Sequence, residues 1–313
     1  MKILVFGGSG FLGSHTADAL TKEGHDVTVF DKKKSKYLQK NQEMIIGSIL
    51  DQKAVDKAVK GQDVVYNFAG IADINKASFK PVDTIENNVL GNTIVLQACH
   101  KHNVKRFVFA STLYGYSKSG AFYRSSKQAC ELIIENYHEV YNLPYTILRY
   151  GSLYGPRSDE KNYIYKILKE AITTGKIMSF GQPEDLREYI HVQDAARYSV
   201  EILSKEFENQ YVILTGNQPM RRKDLLVMIK EMLDNKIDIQ FSPEESKVHY
   251  EITPYSFSPK IARKFAGTYH LDMGQGLLQC IDEIYKECHH AKELDGLIVN
   301  NGIHDVLESE VEQ

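Results

Sequence analysis

The 313 residues include no tryptophan, only 8 prolines and only 4 cysteines. Cys99, Cys130, Cys280 and Cys288 stand far apart, without a Cys-x-x-Cys pair or a metal-ligand spacing. That pattern excludes a disulfide framework, leaves no metal centre to expect, and reads as buried thiols of a reducing, cytoplasmic compartment. Neither sign of charge is in large excess. A formal net charge of −3 argues against a nucleic-acid partner or a polybasic membrane contact. No apolar run approaches the roughly 18 residues of a membrane span. The opening "MKILVFGG" is cut short by glycines, too early for a signal peptide, and reads as a first strand.

Short apolar runs are plentiful. "KILVF" (2–6), "DVTVF" (26–30), "EMIIG" (43–47), "DVVYNFAG" (63–70), "RFVFAS" (106–111) and "YTILRYG" (145–151) are strand candidates. Helical patterns follow them, most clearly over 12–23, 52–60, 81–102 and 123–141. Runs this apolar suit strands covered on both faces. Alternation with short links predicts a doubly wound parallel sheet, an α/β fold of the Rossmann type, with ligands beyond the carboxyl ends of its strands. After residue 155 the regularity loosens. A helix is expected at about 162–174, then a strand and a helix over 187–203, with Asp194 as N-cap. Another strand follows at 210–219, then amphipathic helices at 221–233 and 274–288. The expected division is a dinucleotide domain of residues 1–155 plus roughly 187–212. A smaller, partly interleaved substrate domain takes 156–186 and 213–288. Residues 289–313 form a polar, acidic extension.

Glycines 7, 8, 10 and 13 lie between the first strand and the first helix. A dinucleotide's pyrophosphate needs close backbone approach and the open amides of a helix N-terminus, and glycine permits both. Asp31 ends the second strand, where a carboxylate accepts from an adenosine ribose and repels a 2′-phosphate. The cofactor expected is therefore NAD. Lys32, Lys33 and Lys34 follow and read as a solvated turn.

Tyr-x-x-x-Lys occurs three times, at Tyr114/Lys118, Tyr123/Lys127 and Tyr165/Lys169. The first lies in a Ser/Gly-rich stretch and the third on a helix of the second part. Tyr123/Lys127 opens the helix after "FVFAST", on the cofactor side of the sheet. Hydride removal from a carbinol needs a base for the hydroxyl proton. A tyrosine can serve if a nearby ammonium and a nicotinamide cation lower its pKa. Lys127 can also hold the nicotinamide ribose, and Ser111 or Thr112 can supply a hydroxyl donor.

With "GGSGFLG", Asp31, "NFAG" (67–70), "NNVLGN" (87–92), "FVFAST", "YRSSK", "RYGSLYGPR" (149–157) and "LREYIHVQDAAR" (186–197), the chain resembles the extended short-chain dehydrogenase/reductase family, the NAD-dependent sugar-nucleotide epimerases and dehydratases. The resemblance runs from residue 1 to about 288. It implies Tyr123 as base, Lys127 on the ribose and Thr112 sharing the sugar hydroxyl. It implies cofactor contacts from Gly7, Gly10, Phe11, Leu12, Gly13 and Asp31, and from Ala69, Asn88, Ser111, Lys127 and Tyr150. Thr112, Ser152, Asn162 and Arg187 would face the nucleotide-diphosphate sugar, with Arg187 on its diphosphate. A homodimer through helices 88–102 and 123–141 is implied too.

Dehydratases of the family carry an Asp-Glu pair after the threonine. Leu113 and Tyr114 stand here, which disfavours 4,6-dehydration, and the glutamate of decarboxylating relatives is missing. The expectation is a C4 epimerase. The alternatives are a 4-ketoreductase or 4-dehydrogenase on the same scaffold and a non-catalytic NAD sensor. Departures from the family pattern are Ser152 for Asn, Ser48 for Asp, Ala72 for Lys, and no second phosphate arginine within 246–257.

Overall fold

The structure is a computed structural model, and it describes residues 1–116, 120–242 and 262–288. Ser117, Lys118, the stretch 246–257 and the extension 289–313 lie outside the described residues.

Eight strands form one sheet, in the order β13-β10-β6-β5-β4-β1-β2-β3. They are β1 (Lys2–Phe6), β2 (Asp26–Asp31), β3 (Gln42–Ile46), β4 (Val64–Asn67), β5 (Arg106–Thr112), β6 (Tyr145–Tyr150), β10 (Gln210–Leu214) and β13 (Arg263–Lys264). Every pairing in it is parallel. Such a sheet is buried on both faces, so Ile3, Leu4, Val5 and Phe6 of β1 are all fully enclosed. One face packs on α2 (Gln52–Val59), α5 (Gly91–Lys101) and α6 (Ala121–Tyr141) through Val55, Val59, Val95, Leu96, Cys130 and Ile134. The other packs on α1 (Phe11–Lys22) and α8 (Val192–Glu201) through Ala17, Leu20, Ala195 and Tyr198. The chain runs outward from β1 to β3, then crosses back to place β4 on the other side of β1. That reversal opens a crevice at the carboxyl ends of β1 and β4.

A third core joins α7 (Tyr163–Thr174), α9 (Arg222–Met232) and α10, the helix over 273–288. Two small sheets accompany it. One has the order β11-β9-β7, from β7 (Ser152–Tyr154), β9 (Leu186–His191) and β11 (Pro219–Arg221). The other pairs β8 (Lys176–Phe180) with β12 (Asp238–Ser242). The interleaving is carried by single strands. β9 belongs to the small sheet although α8 directly after it packs on the large one, whereas β13 joins the large sheet from the second part. Among the described residues no helix is long and apolar enough to cross a membrane.

Two local readings are corrected. The helix expected over 81–102 is three pieces: α4 (Pro81–Ile85), a π-helical turn (Glu86–Leu90) and α5. The cap of α8 is His191, whose ring accepts from the Gln193 amide, while Asp194 sits in the first turn. Asp194 instead takes the Leu271 amide and the Arg197 guanidinium.

Candidate active site

The glycine turn is dictated by space. Gly7 has φ +75°, and a Cβ there would come 2.7 Å from the Ala69 nitrogen on the loop after β4. A Cβ on Gly13 would stand 2.3 Å from the Gly7 carbonyl oxygen. Gly10 is the N-cap of α1 and brings no side-chain cap, so the first-turn amides at Phe11 and Leu12 remain open to an anion. Asp31 is fixed at the other side of the opening. Its Oδ2 accepts from the Ser9 amide at 3.1 Å and its Oδ1 from the Lys33 amide at 3.1 Å. Gly7, Gly10, Asp31, Ser48, Ala69 and Ile71 line the resulting cavity of about 190 Å³. A turn that a Cβ would fill, open helix amides and an oriented carboxylate fit NAD. Lys33 and Lys34 are exposed, as a solvated turn requires, and Lys32 is exposed at the rim of the same cavity.

Thr112 ends β5, and Tyr123 and Lys127 lie in the first two turns of α6. They are 5%, 9% and 7% exposed, so all three are withdrawn from bulk water. The structure brings them together: the Thr112 hydroxyl stands close enough to the Tyr123 phenol to favour its ionised form. Lys127 Nζ donates to the Ala110 carbonyl at 2.6 Å and stands 4.6 Å from the Phe109 ring centroid and 5.9 Å from that of Tyr123. The expected depression of the tyrosine pKa is not found in the chain by itself. Burial pushes the Tyr123 phenol up to about 12, and only the Thr112 hydroxyl pulls it down. Burial also lowers Lys127, against the charges of Cys130 and Glu131. The ammonium is spent on a backbone carbonyl rather than on the phenol.

Several residues expected to touch ligands have side chains committed elsewhere. Asn88, in the π turn, accepts from the Ile71 amide at 2.7 Å and donates to the Ile71 carbonyl and to Ser126 Oγ, each at 3.0 Å. It therefore holds the loop that lines the cofactor cavity. Ser111 Oγ donates to Glu131 at 2.5 Å, beneath the site. Tyr150 turns its hydroxyl to Ser199, 2.5 Å away on α8. Asn162 is the N-cap of α7: its Oδ1 accepts from the Ile164 and Tyr165 amides, and its Nδ2 donates to the Leu153 carbonyl at 2.8 Å. Arg187, 7% exposed on β9, donates Nη1 to the Leu186 carbonyl at 2.9 Å. The neighbouring acids are engaged, Glu184 with Lys223 and Arg221, and Glu188 with Lys264 and Thr215. Ser152 opens β7 opposite Tyr189 of β9.

The third Tyr/Lys pair is ordinary. Tyr165 donates to Glu287 at 2.9 Å, and Lys169 pairs with Glu160 at 2.5 Å. Sequence reasoning missed the loop-holding role of Asn88 and the buried pair of Glu131 and Arg149. Glu131 was within reach, since its spacing of four from Lys127 puts it on the same face of α6.

The family model described as "NAD dependent epimerase/dehydratase family" matches residues 3–213. A UDP-N-acetyl-alpha-D-glucosaminuronate decarboxylase of Bacillus cytotoxicus is 28% identical over 289 residues, covering 84% of this chain and 88% of that protein. A UDP-glucose 4-epimerase of Lactobacillus helveticus is 32% identical over 228 residues, covering 62% and 69%. Among solved structures, the UDP-glucose 4-epimerase of Thermotoga maritima, with UDP-glucose, superposes with a TM-score of 0.79 at 24% identity, over 92% of this chain and 100% of that one. The UDP-glucuronic acid 4-epimerase of Bacillus cereus, with UDP-glucuronic acid and NAD, gives 0.80 at 23% identity, over 91% and 99%. At these identities the solved structures establish the shared fold.

Proposed function

Because the chain belongs to the NAD-dependent epimerase/dehydratase family, with NAD as cofactor, we propose that it inverts C4 of a nucleotide-diphosphate sugar through a transient 4-keto sugar. The observation that carries this reading is the buried contact of Tyr123 with Thr112, with Lys127 beside it and no carboxylate in the two positions after Thr112. Leu113 is 1% exposed and apolar, and Tyr114 packs against Ile74, Ala77 and Tyr123. Neither offers the second acid/base pair that loss of water demands.

Bound NAD supplies a hydride acceptor and a cationic ring. Tyr123, as phenolate, takes the proton of the C4 hydroxyl while Thr112 holds that oxygen by a hydrogen bond. Lys127 keeps a positive charge behind the phenol. After the keto sugar turns over, the Tyr123 phenol returns the proton to the oxygen on the other face. In this reading Arg187 is the residue whose planar guanidinium meets the diphosphate. We also propose a homodimer through α5 and α6. Leu90 just before α5, and Leu132, Val140 and Tyr141 on α6, are 48%, 52%, 66% and 47% exposed, more apolar surface than a lone chain has reason to leave in water. Light scattering should give twice the 35.6 kDa chain mass, and a single chain mass would remove that assignment.

The test of activity uses purified chain, added NAD, and UDP-glucose, UDP-N-acetylglucosamine and UDP-glucuronic acid in turn. The reading requires a C4 epimer from one of them without net NADH. Steady NADH formation would favour the 4-dehydrogenase, and NADH consumption with a 4-keto sugar would favour the 4-ketoreductase.

A further inference from the structure

Among the described residues the largest fully buried side chain is Arg149, on β6. Its guanidinium meets Glu131 on α6, with Nη2 2.9 Å from Oε2 and Nε 3.2 Å from Oε1. The two side chains are 2% and 4% exposed. Ser111 on β5 donates to the same Oε1 at 2.5 Å. The guanidinium also lies 4.3 Å from the ring centroid of Tyr211 on β10, and the Tyr211 hydroxyl donates to Glu135 at 2.6 Å.

A buried ion pair is no argument for stability, because apolar residues of the same volume often do as well or better. The location of this one is what stands out. Each anchor lies one step from a member of the candidate catalytic set. Ser111 precedes Thr112. Glu131 is one helical turn beyond Lys127 and two beyond Tyr123. Arg149 pairs in register with Ser111, as Tyr150 does with Thr112. Tyr123 and Thr112 sit on different elements, and their hydroxyls meet only if α6 holds one axial position and one rotation on the sheet. Resting on the function proposed above, we propose that the Glu131–Arg149 pair is a positioning device: with Ser111 it locks α6 to the ends of β5 and β6 so that Tyr123 meets Thr112 and Lys127 keeps its place on the Ala110 carbonyl.

Lys127 reports on that placement, because an ionised Glu131 one turn further along α6 raises its titration. Its acceptor, the Ala110 carbonyl, and its ring neighbours Phe109 and Tyr123 carry no charge. The titratable and charged groups near it and Glu131 are Cys130 and Glu135 on α6, Arg149 on β6 and Tyr211 on β10. The Cys130 thiol is pushed up to about 12 by burial and stays neutral. Burial drives Glu131 upward too, to about 8, against the Ser111 hydroxyl. The guanidinium contact at 2.9 Å favours its ionised form.

The variants are Glu131→Gln and the double variant Glu131→Gln/Arg149→Met, in the full chain with NAD. Lys127 is followed by nitrogen-15 NMR of labelled lysine, which needs no substrate. In E131Q its titration should fall by about one unit or more. Turnover of the UDP-sugar found active should drop by roughly 10–100-fold with KM little changed, because the reacting groups are misplaced. The alkaline limb of the pH–rate profile should move down with Lys127. The double variant removes both charges, so it should regain the thermal stability lost in E131Q. Its Lys127 titration should nevertheless stay low. If E131Q does not fold, the double variant carries both readouts. An unmoved Lys127 titration, with activity that merely tracks the melting temperature, would overturn the proposal. Wild-type chain inactive on every UDP-sugar would instead overturn the functional reading, while the Lys127 titration still decides the role of Glu131.

Discussion

A single phenol decides what this site can do. Tyr123 is dry, and its pKa of about 12 in the chain alone makes it an acid at neutral pH, not a base. A base therefore requires charge that arrives with the cofactor, assisted by Lys127. Tyr123→Phe keeps the ring packing against Ile74 and Ala77 and removes only the proton carrier. Turnover should fall by roughly 10²–10⁴-fold, while NAD affinity measured by calorimetry stays within about two-fold of the native value by the same reasoning. Unaltered turnover would show that another group moves the proton. At this scale the sequence was readable where a residue's chemistry is its function. Gly7, Gly10, Gly13 and Asp31 are legible because backbone approach and ribose binding admit few alternatives. For Asn88, Ser111, Tyr150 and Asn162 the motif position named the residue but not the direction of its side chain. Each of these polar groups is buried or half-buried and had to find a partner, and the nearest one was within the protein.

At the scale of elements, the π turn at Glu86–Leu90 shows what periodicity hides. The apolar pattern over 81–102 reads as one helix. The structure widens one turn, and there Asn88 points inward to clamp Ile71 and Ser126. The clamped loop also passes so near that a Cβ on Gly70 would lie 2.7 Å from Asn88 Oδ1. Asn88→Ala leaves the Ile71 amide and carbonyl without these partners, which should cost about 1–3 kcal/mol of stability. NAD affinity should weaken as well, because Ile71 lines the cofactor cavity. A thermal melt and an NAD titration check both parts. Native affinity with lowered stability would detach the clamp from the cofactor. The strands of the first 150 residues, by contrast, were legible to within a few residues, whereas the short β7, β8, β11, β12 and β13 were not. Strands covered on both faces must be continuously apolar, and few other elements have that signature. The destination of β9 was not legible, since a strand's own sequence does not record which sheet it joins.

For the whole molecule, the two parts meet over a pair of histidines. His15 on α1 bonds the Pro156 carbonyl at 3.0 Å, and His191 caps α8. Burial lowers both pKa values from 6.5 to about 4. The sign follows. Between those values the unfolded chain takes up protons that the folded chain refuses, so stability is fully present above about pH 6.5 and is lost as pH falls toward 4. Each histidine contributes a slope of at most about 1.4 kcal/mol per pH unit. Denaturant unfolding at pH 7.5 and pH 5 should show the loss, and His15→Gln should flatten it. Equal stability at the two pH values would mean that the rings are not held neutral. The same junction carries Arg157, whose guanidinium pairs with Asp18 at 2.7 Å and whose amide donates to Glu283 of α10 at 3.0 Å. The two parts are thereby linked through backbone and charge together.

The proposal that one carbon gives up its hydrogen and takes the same hydrogen back is open to direct measurement. Each of the three UDP-sugars, deuterated at C4, is incubated with the NAD-loaded chain in ordinary water, and the product is read by NMR and mass spectrometry. The account predicts a C4 epimer that retains the deuterium. An epimer that has exchanged the label for solvent hydrogen, or a C4-deuterated sugar returned unchanged in all three cases, would contradict it.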